Sequence, residues 1–202
     1  MSESELYKEL GILTKNKDRW KESISYLSFL LSHESEKIQA KALWLLGEIA
    51  LEYPEDVKES IPVIVSFCDS EVPLLRQRAI NALGRAGRAK FQLIEKYWTD
   101  LFDFALDDNP EVRLSFIWAS ENIAVNTPEI YEDHMSVFEK LLYDPDVRVR
   151  MEAPEIFRVL GKRKPEFVRP FREELQMISE SDEDRVVRIH CQAAIRAMGS
   201  AL

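Results

Sequence analysis

The sequence predicts an all-α fold, a right-handed α–α superhelix of five helix pairs that follow an N-terminal cap helix. Apolar residues recur with a period of about 37 along the 202 residues, and within each period they follow helical spacing. Residues that favour helices dominate, and only six glycines are present. A recurring unit of this length indicates a repeat array, in which each helix pair covers the apolar face of its neighbour.

The second helix of each pair carries the clearest repeat. Its first apolar residue recurs at intervals of 37, 37, 37 and 38 residues. Further apolar residues follow at offsets of 4, 7 and 11, which together form one stripe along an α-helix. The five starting residues are Ile38, Leu75, Val112, Val149 and Val187.

The first helix of each pair obeys the same period, in columns such as Leu27, Ile64, Leu101, Phe138 and Leu175. Prolines that suit a first helical turn stand near three of the expected starts. Leu6, Leu10 and Leu13 indicate the cap helix. We therefore expect one domain over residues 1–202, with about eleven helices. Its parts are a cap at 3–14 and repeats at about 18–52, 54–89, 91–126, 128–163 and 165–199.

Three other prolines fall within predicted helices: Pro62, Pro154 and Pro170. Proline lacks the backbone N–H and clashes with the preceding turn, so each should bend its helix. Pro154 lies in a second helix, where we expect a local bend or a split at 151–156.

The second helices resemble those of HEAT repeats. The likeness is best in repeat two, from Leu75-Arg76 to Leu83-Gly84, and Val149-Arg150 in repeat four continues it. The resemblance implies an armadillo-like solenoid whose second helices line the concave side, and it implies no particular activity. Repeat three departs from the pattern, with Phe116 in place of a small residue and Glu121 in place of glycine, so its helices should pack more widely.

An arginine column follows the same period, with Arg76, Arg113, Arg150 and Arg188. It could contact an anionic ligand, or it could form an Asp–Arg ladder that links adjacent turns. We favour the ladder, because the arginine fork matches carboxylates and the first repeat has the neutral Gln39 at this position.

Two surfaces are candidates for binding a partner. Side chains that point away from the apolar stripe of the second helices would form the concave groove: Trp44, Gln77, Asn81, Leu114, Trp118, Met151 and Glu155. The two tryptophans could equally fill gaps between repeats. The second candidate is a basic edge at the turns between repeats, with Arg85, Arg88, Lys90, Lys162, Arg163 and Lys164. Helix dipoles explain such bases at helix C-termini without any partner.

Composition argues against several classes of function. A net charge of -9 disfavours nucleic-acid binding, which depends on neutralising phosphates. The N-terminus does not resemble a signal peptide, and the longest apolar stretch, 42–50, is too short for a bilayer, so we expect a cytoplasmic protein without a membrane partner. Cys68 and Cys191 occupy apolar repeat positions and are expected to be buried.

No residue pattern predicts catalysis, a metal site or a cofactor. His33, His134 and His190 lack the spacing of metal ligands, and no phosphate-binding or nucleophile motif is present. The expected function is therefore a non-enzymatic scaffold that binds a protein or peptide on its concave surface. The alternative is a nucleic-acid-processing protein similar to DNA alkylation-repair glycosylases, or one similar to bilin lyases. A continuous basic groove would favour the nucleic-acid alternative.

Overall fold

A computed structural model describes residues 2–199, and within this range it contains helices and no strand. Met1 and residues 200–202, which include most of the short tail expected after the last repeat, lie outside the described part. The all-α prediction is confirmed. The chain divides into two compact units, Met1–Asp100 and Leu101–Leu202. The expectation of a single domain over the whole length stays a prediction.

The first unit begins with the cap helix, α1. The Ser2 hydroxyl accepts a hydrogen bond from the Glu5 backbone N–H, and the Glu5 carboxylate accepts one from the Ser2 N–H. This reciprocal capping starts the helix at the predicted place, and Leu6, Leu10 and Leu13 are buried, as the cap prediction requires. The α-helices of the unit are α1 Glu3–Lys15, α2 Trp20–Leu30, α3 Glu36–Glu52, α4 Pro54–Val57, α5 Ile61–Ser66 and α6 Pro73–Ala89.

The second unit contains the remaining second helices and two broken first helices. Its α-helices are α7 Pro110–Ala124, α8 Met135–Leu141, α9 Val147–Gly161, α10 Pro165–Val168, α11 Arg172–Ser181 and α12 Arg185–Ala197. The five predicted second helices are α3, α6, α7, α9 and α12, and each is continuous. Within this unit α9 packs between α7 and α12, so its two faces are both covered.

The first helices are less regular than predicted. Pro62 lies at the start of α5, after a 3-10 turn, and Pro170 lies in the 3-10 turn between α10 and α11. The first helix of repeat three consists of 3-10 segments alone, Phe91–Leu93, Glu95–Tyr97 and Thr99–Leu106. The interruptions at Pro62 and Pro170 lie where bends were expected, whereas the first helix of repeat three is 3-10 rather than α-helical, against the expectation.

The helix is not split at Pro154, because α9 continues through it, and a local bend at 151–156 stays a prediction. The proline and its neighbours Ala153, Ile156 and Phe157 are buried. Packing on both faces of α9 offsets the single backbone hydrogen bond that proline removes.

Glycine sets the distance between second helices in the first unit. A Cβ placed on Gly47 would lie 2.8 Å from the Ala82 Cα, so α3 and α6 approach too closely for any larger residue. In repeat three Glu121 occupies the corresponding position, and α7 contacts α9 less extensively than α3 contacts α6. Phe116 is buried and stacks on Phe138 of α8, with ring centroids 5.3 Å apart. Wider packing of the helices in repeat three stays a prediction.

Candidate partner-binding surfaces on the second helices

The arginine column links turns rather than facing a ligand. Arg113 donates to both carboxylate oxygens of Asp144 at 2.7 Å, and Arg150 donates to Asp182 at 3.2 Å. Each arginine also donates to a backbone carbonyl six residues earlier, as Arg188 does to Asp182 at 2.6 Å. The Asp144 carboxylate raises the pKa of Arg113, so the guanidinium stays charged. This geometry is that of the Asp–Arg ladder.

The predicted basic edge is largely engaged in local contacts. Arg85 pairs with Glu48 of α3 at 2.9 Å, Lys90 pairs with Glu55, and Lys164 pairs with Glu129 at 3.2 Å. Arg163 donates to the Val125 carbonyl at 2.7 Å. Arg88 and Lys162 have exposed side chains. These contacts favour a role for the edge bases in joining helices.

The second-helix surface of the first unit holds a pocket of about 220 Å³ next to Trp44. The Lys41 Nζ lies 4.1 Å from the centre of the Trp44 ring, and the Lys37 Nζ lies 4.2 Å from the centre of the Tyr7 ring. Arg78 completes the basic lining. We call this site the basic pocket, and its lining consists of Tyr7, Lys37, Ala40, Lys41, Trp44, Leu74 and Arg78.

Sequence reasoning found Trp44 but missed the cations around it. Lys37, Lys41 and Trp44 stand at offsets of four and three, which is one helical face, so the signal was present. Gln77 and Asn81 are half-buried on α6 and do not line the basic pocket.

The second-helix surface of the second unit is aromatic and acidic. Trp118 is 38% exposed, and its indole Nε1 donates to the Glu152 carboxylate at 2.9 Å. Glu155 accepts from Arg158 at 2.5 Å and lies 3.6 Å from the His190 Nδ1. We call this site the acidic surface and define it as Trp118, Glu121, Glu152 and Glu155.

Glu121 is the unusual member of the acidic surface. Burial, and after it the nearby charges of Glu152 and Glu155, raise its pKa to about 8 against a smaller opposite effect of Arg158. Its Oε1 is buried without a hydrogen-bond partner. A protonated Glu121 at neutral pH therefore limits the negative charge at this surface.

Leu114 was placed in the groove wrongly, because it is only 7% exposed. Its side chain therefore belongs to the buried core rather than to a groove surface. Met151 is half-buried at the same repeat position, and its carbonyl accepts from the His190 Nδ1 at 2.6 Å. Of the other predicted groove residues, Trp118 is partly exposed and Trp44 and Glu155 are half-buried, and their role in binding a partner stays a prediction.

Several other kinds of site find no support in the described residues. No group of three His, Cys, Asp or Glu side chains within 2–199 could hold a metal ion. Cys68 and Cys191 are buried and unpaired, and burial raises each thiol pKa to about 12, which keeps the thiols protonated. No helix in this range is both long enough and apolar enough to cross a membrane.

Continuous second helices, close glycine-mediated packing and an arginine ladder define an α-solenoid of the armadillo/HEAT class. The chain belongs to the family described as sister chromatid cohesion protein PDS5, whose pattern it matches over residues 10–199. No curated protein matches the sequence.

Solved structures show the same fold at low identity. A designed armadillo repeat protein in complex with the peptide (KR)4 is 22% identical, with a TM-score of 0.68 over 95% of this chain and 86% of that one. An engineered protein is 20% identical, with a TM-score of 0.66 over 87% of this chain and 78% of that one. The karyopherin Kap121p bound to the SUMO protease Ulp1p is 16% identical, with a TM-score of 0.64 over 89% of this chain and 21% of that one.

Proposed function

We propose that this protein is a non-enzymatic scaffold that binds a protein or peptide on the concave surface lined by its second helices. The observation that carries the proposal is the partly exposed Trp118 ring, which Glu152 fixes in place. Fixed aromatic side chains with one polar contact are typical of interface hot spots, because they offer a large contact area at little entropic cost.

The related structures support binding of a protein or peptide. Two of the similar solenoids are complexes, one with a basic peptide and one with a protease. The family description concerns sister chromatid cohesion, so chromosome-associated protein assemblies are the first place to look for the partner.

Two buried, unpaired cysteines fit the reducing cytoplasm that we expected as its location.

Charge on the second helices disfavours the nucleic-acid alternative. The Glu152 carboxylate contacts Trp118, and the basic pocket in the first unit contains only three cations. Phosphate backbones require a run of cations along their path. A patchy surface of this kind suits a protein partner, and no feature of the described residues favours a bilin-lyase role.

The test is affinity capture with matched variants. Trp44→Ala with Trp118→Ala should abolish capture of the partner that the unaltered protein retains. The control is Phe29→Ala with Leu106→Ala, which removes equally apolar side chains that are 72% and 81% exposed on first helices. This control should capture the partner normally.

Two further measurements test whether the second-helix face is the binding surface. A photo-crosslinking residue at position 118 should attach to the captured partner, whereas one at the half-exposed Met177 on α11 should not. Equal capture by the tryptophan variant, with both proteins folded by circular dichroism, would show that the second-helix face is not the binding surface.

A further inference from the structure

The basic pocket has a composition that selects one class of partner. Its lining includes three cations, Lys37, Lys41 and Arg78, and no acid. Its apolar wall includes Tyr7, which is 37% exposed, and Leu74, which is 39% exposed. From this combination we infer that the basic pocket binds an acidic peptide segment of a protein partner, with carboxylates against the cations and one apolar side chain against Leu74 and Trp44. The inference rests on the proposed function, for which it names the partner chemistry.

The cations of the basic pocket are held close together without matching acids in the lining. Desolvation lowers the pKa of Lys41, and repulsion from Arg78 lowers it further. Glu48 has a smaller opposite effect, and its carboxylate pairs with Arg85 at 2.9 Å. Carboxylates that enter the pocket would relieve this repulsion, and charge-assisted hydrogen bonds to partly buried cations are the stronger kind.

The size of the basic pocket fits a peptide side chain better than a large ligand. A volume of about 220 Å³ is below the usual range for drug-sized ligands, which begins at roughly 300 Å³. Three helices that neighbour one another in space contribute to it, since Tyr7 comes from α1, Trp44 from α3 and Arg78 from α6. An extended peptide that crosses these helices would place one side chain in the pocket and its neighbours against the rim.

The aromatic rings argue for a peptide rather than a single-stranded nucleic acid. Sequence-tolerant nucleic-acid binding uses open ring faces on which bases stack. Here Lys41 lies over Trp44 at 4.1 Å and Lys37 lies over Tyr7 at 4.2 Å, so each ring already has a cation on one face. Both lysines also line the pocket, so their ammonium groups lie beside the space that an anion would enter.

Fluorescence anisotropy tests this inference with defined probes. The main probe is a short fluorescein-labelled peptide of Asp and Glu with one central Leu. The comparison probes replace Leu by Ala, replace the acids by Lys, or are a single-stranded oligonucleotide of equal charge. We expect saturable binding of the acidic peptide, weaker binding of its Ala form, and no binding of the Lys form.

Substitutions inside and outside the basic pocket then test whether the acidic peptide binds there. Lys41→Gln with Arg78→Gln should weaken acidic-peptide binding by at least about tenfold, as expected for the loss of charge-assisted contacts. The control Lys15→Gln changes an exposed lysine of α1 outside the pocket and should alter affinity by less than about twofold. If the double variant does not fold, Lys37→Gln replaces it, with a proportionally smaller loss expected.

Any one of three outcomes would overturn the inference. In the first, the unaltered protein shows no saturable binding at millimolar acidic peptide. In the second, the Lys41→Gln with Arg78→Gln variant binds the acidic peptide as tightly as the unaltered protein. In the third, the oligonucleotide binds more tightly than the acidic peptide, and the same variant abolishes that binding. If position 118 still crosslinks a captured partner in that case, the scaffold function stands and only the partner chemistry of the basic pocket is wrong.

Discussion

At the scale of single residues, the most informative side chain is Glu121, which replaces glycine in the repeat pattern. Its carboxyl has a pKa of about 8 in the folded protein, against 4.5 for an unperturbed glutamate. The folded state therefore binds more protons than the unfolded state between these pH values. It follows that the free energy of unfolding falls as pH rises through this window and levels off above it.

We predict that Glu121→Gln removes most of this pH dependence. In the unaltered protein, raising the pH from 5 to 8.5 should cost on the order of a few kcal/mol of stability at this residue. Urea unfolding at the two pH values measures the difference. The matched control Glu132→Gln changes an exposed acid and should keep the full dependence. An unchanged slope in Glu121→Gln would show that this carboxyl is charged in the folded protein.

Gly47 provides the second prediction at the residue scale. Alanine there would place its Cβ 2.8 Å from the Ala82 backbone, so α3 and α6 would have to move apart. We expect Gly47→Ala to destabilise the protein by about 1–3 kcal/mol, because overpacking outweighs the better helix propensity of alanine.

Gly11 is the internal control, because nothing lies within 4 Å of a Cβ placed there. Gly11→Ala in the cap helix should stabilise the protein by up to about 1 kcal/mol. Thermal unfolding distinguishes the two variants by the sign of the change in Tm. A stabilising Gly47→Ala would contradict the close approach of the two helices.

At the scale of secondary-structure elements, the Asp–Arg ladder joins second helices to neighbouring turns. The Arg113 and Asp144 side chains are 12% and 5% exposed and form a bidentate pair. Asp144 also accepts from the Asp146 N–H, which an asparagine could preserve. We predict that Asp144→Asn costs about 3 kcal/mol, since it leaves a largely buried guanidinium without its charge partner.

A double-mutant cycle between Arg113→Ala and Asp144→Asn measures the coupling, which should lie at about 1–3 kcal/mol. The exposed pair of Lys164 and Glu129 serves as the comparison and should couple by less than about 1 kcal/mol. Equal coupling in both pairs would mean that the ladder adds no stability beyond a surface ion pair.

First and second helices should also differ in dynamics. The second helices are continuous and largely buried on their apolar stripes, whereas the 3-10 segments Thr99–Leu106 and Pro128–His134 have weaker hydrogen-bond geometry. We predict that amide hydrogen exchange is slowest in α3, α6, α7 and α9 and faster in these two segments. Equally slow amide exchange in the second helices and in the two 3-10 segments would contradict this prediction.

At the scale of the whole molecule, the charge is divided unevenly between two compact units. The basic pocket lies in Met1–Asp100 and the acidic surface lies in Leu101–Leu202, although the chain as a whole carries a net charge of -9. A net charge alone therefore describes neither surface. Local charge decides which peptide each unit can attract.

The sequence was sufficient to predict the repeats, because every unit must bury the same stripe and so repeats the same apolar columns. The cap helix was expected at 3–14 and observed at Glu3–Lys15, and the second helices follow their predicted columns. It did not predict that first helices break into 3-10 segments. Apolar residues three and four positions apart satisfy both kinds of helix, so periodicity cannot separate them.

By itself the sequence determined the all-α class, the period and the repeating apolar stripe of the second helices, since these follow from helical spacing alone. Only tertiary structure decided that Trp118 is partly exposed, that Leu114 is buried and that Lys37, Lys41 and Arg78 meet around one pocket. The physical reason is that exposure and local charge depend on how closely neighbouring helices pack. That distance is set by contacts between residues far apart in the chain, such as Gly47 and Ala82.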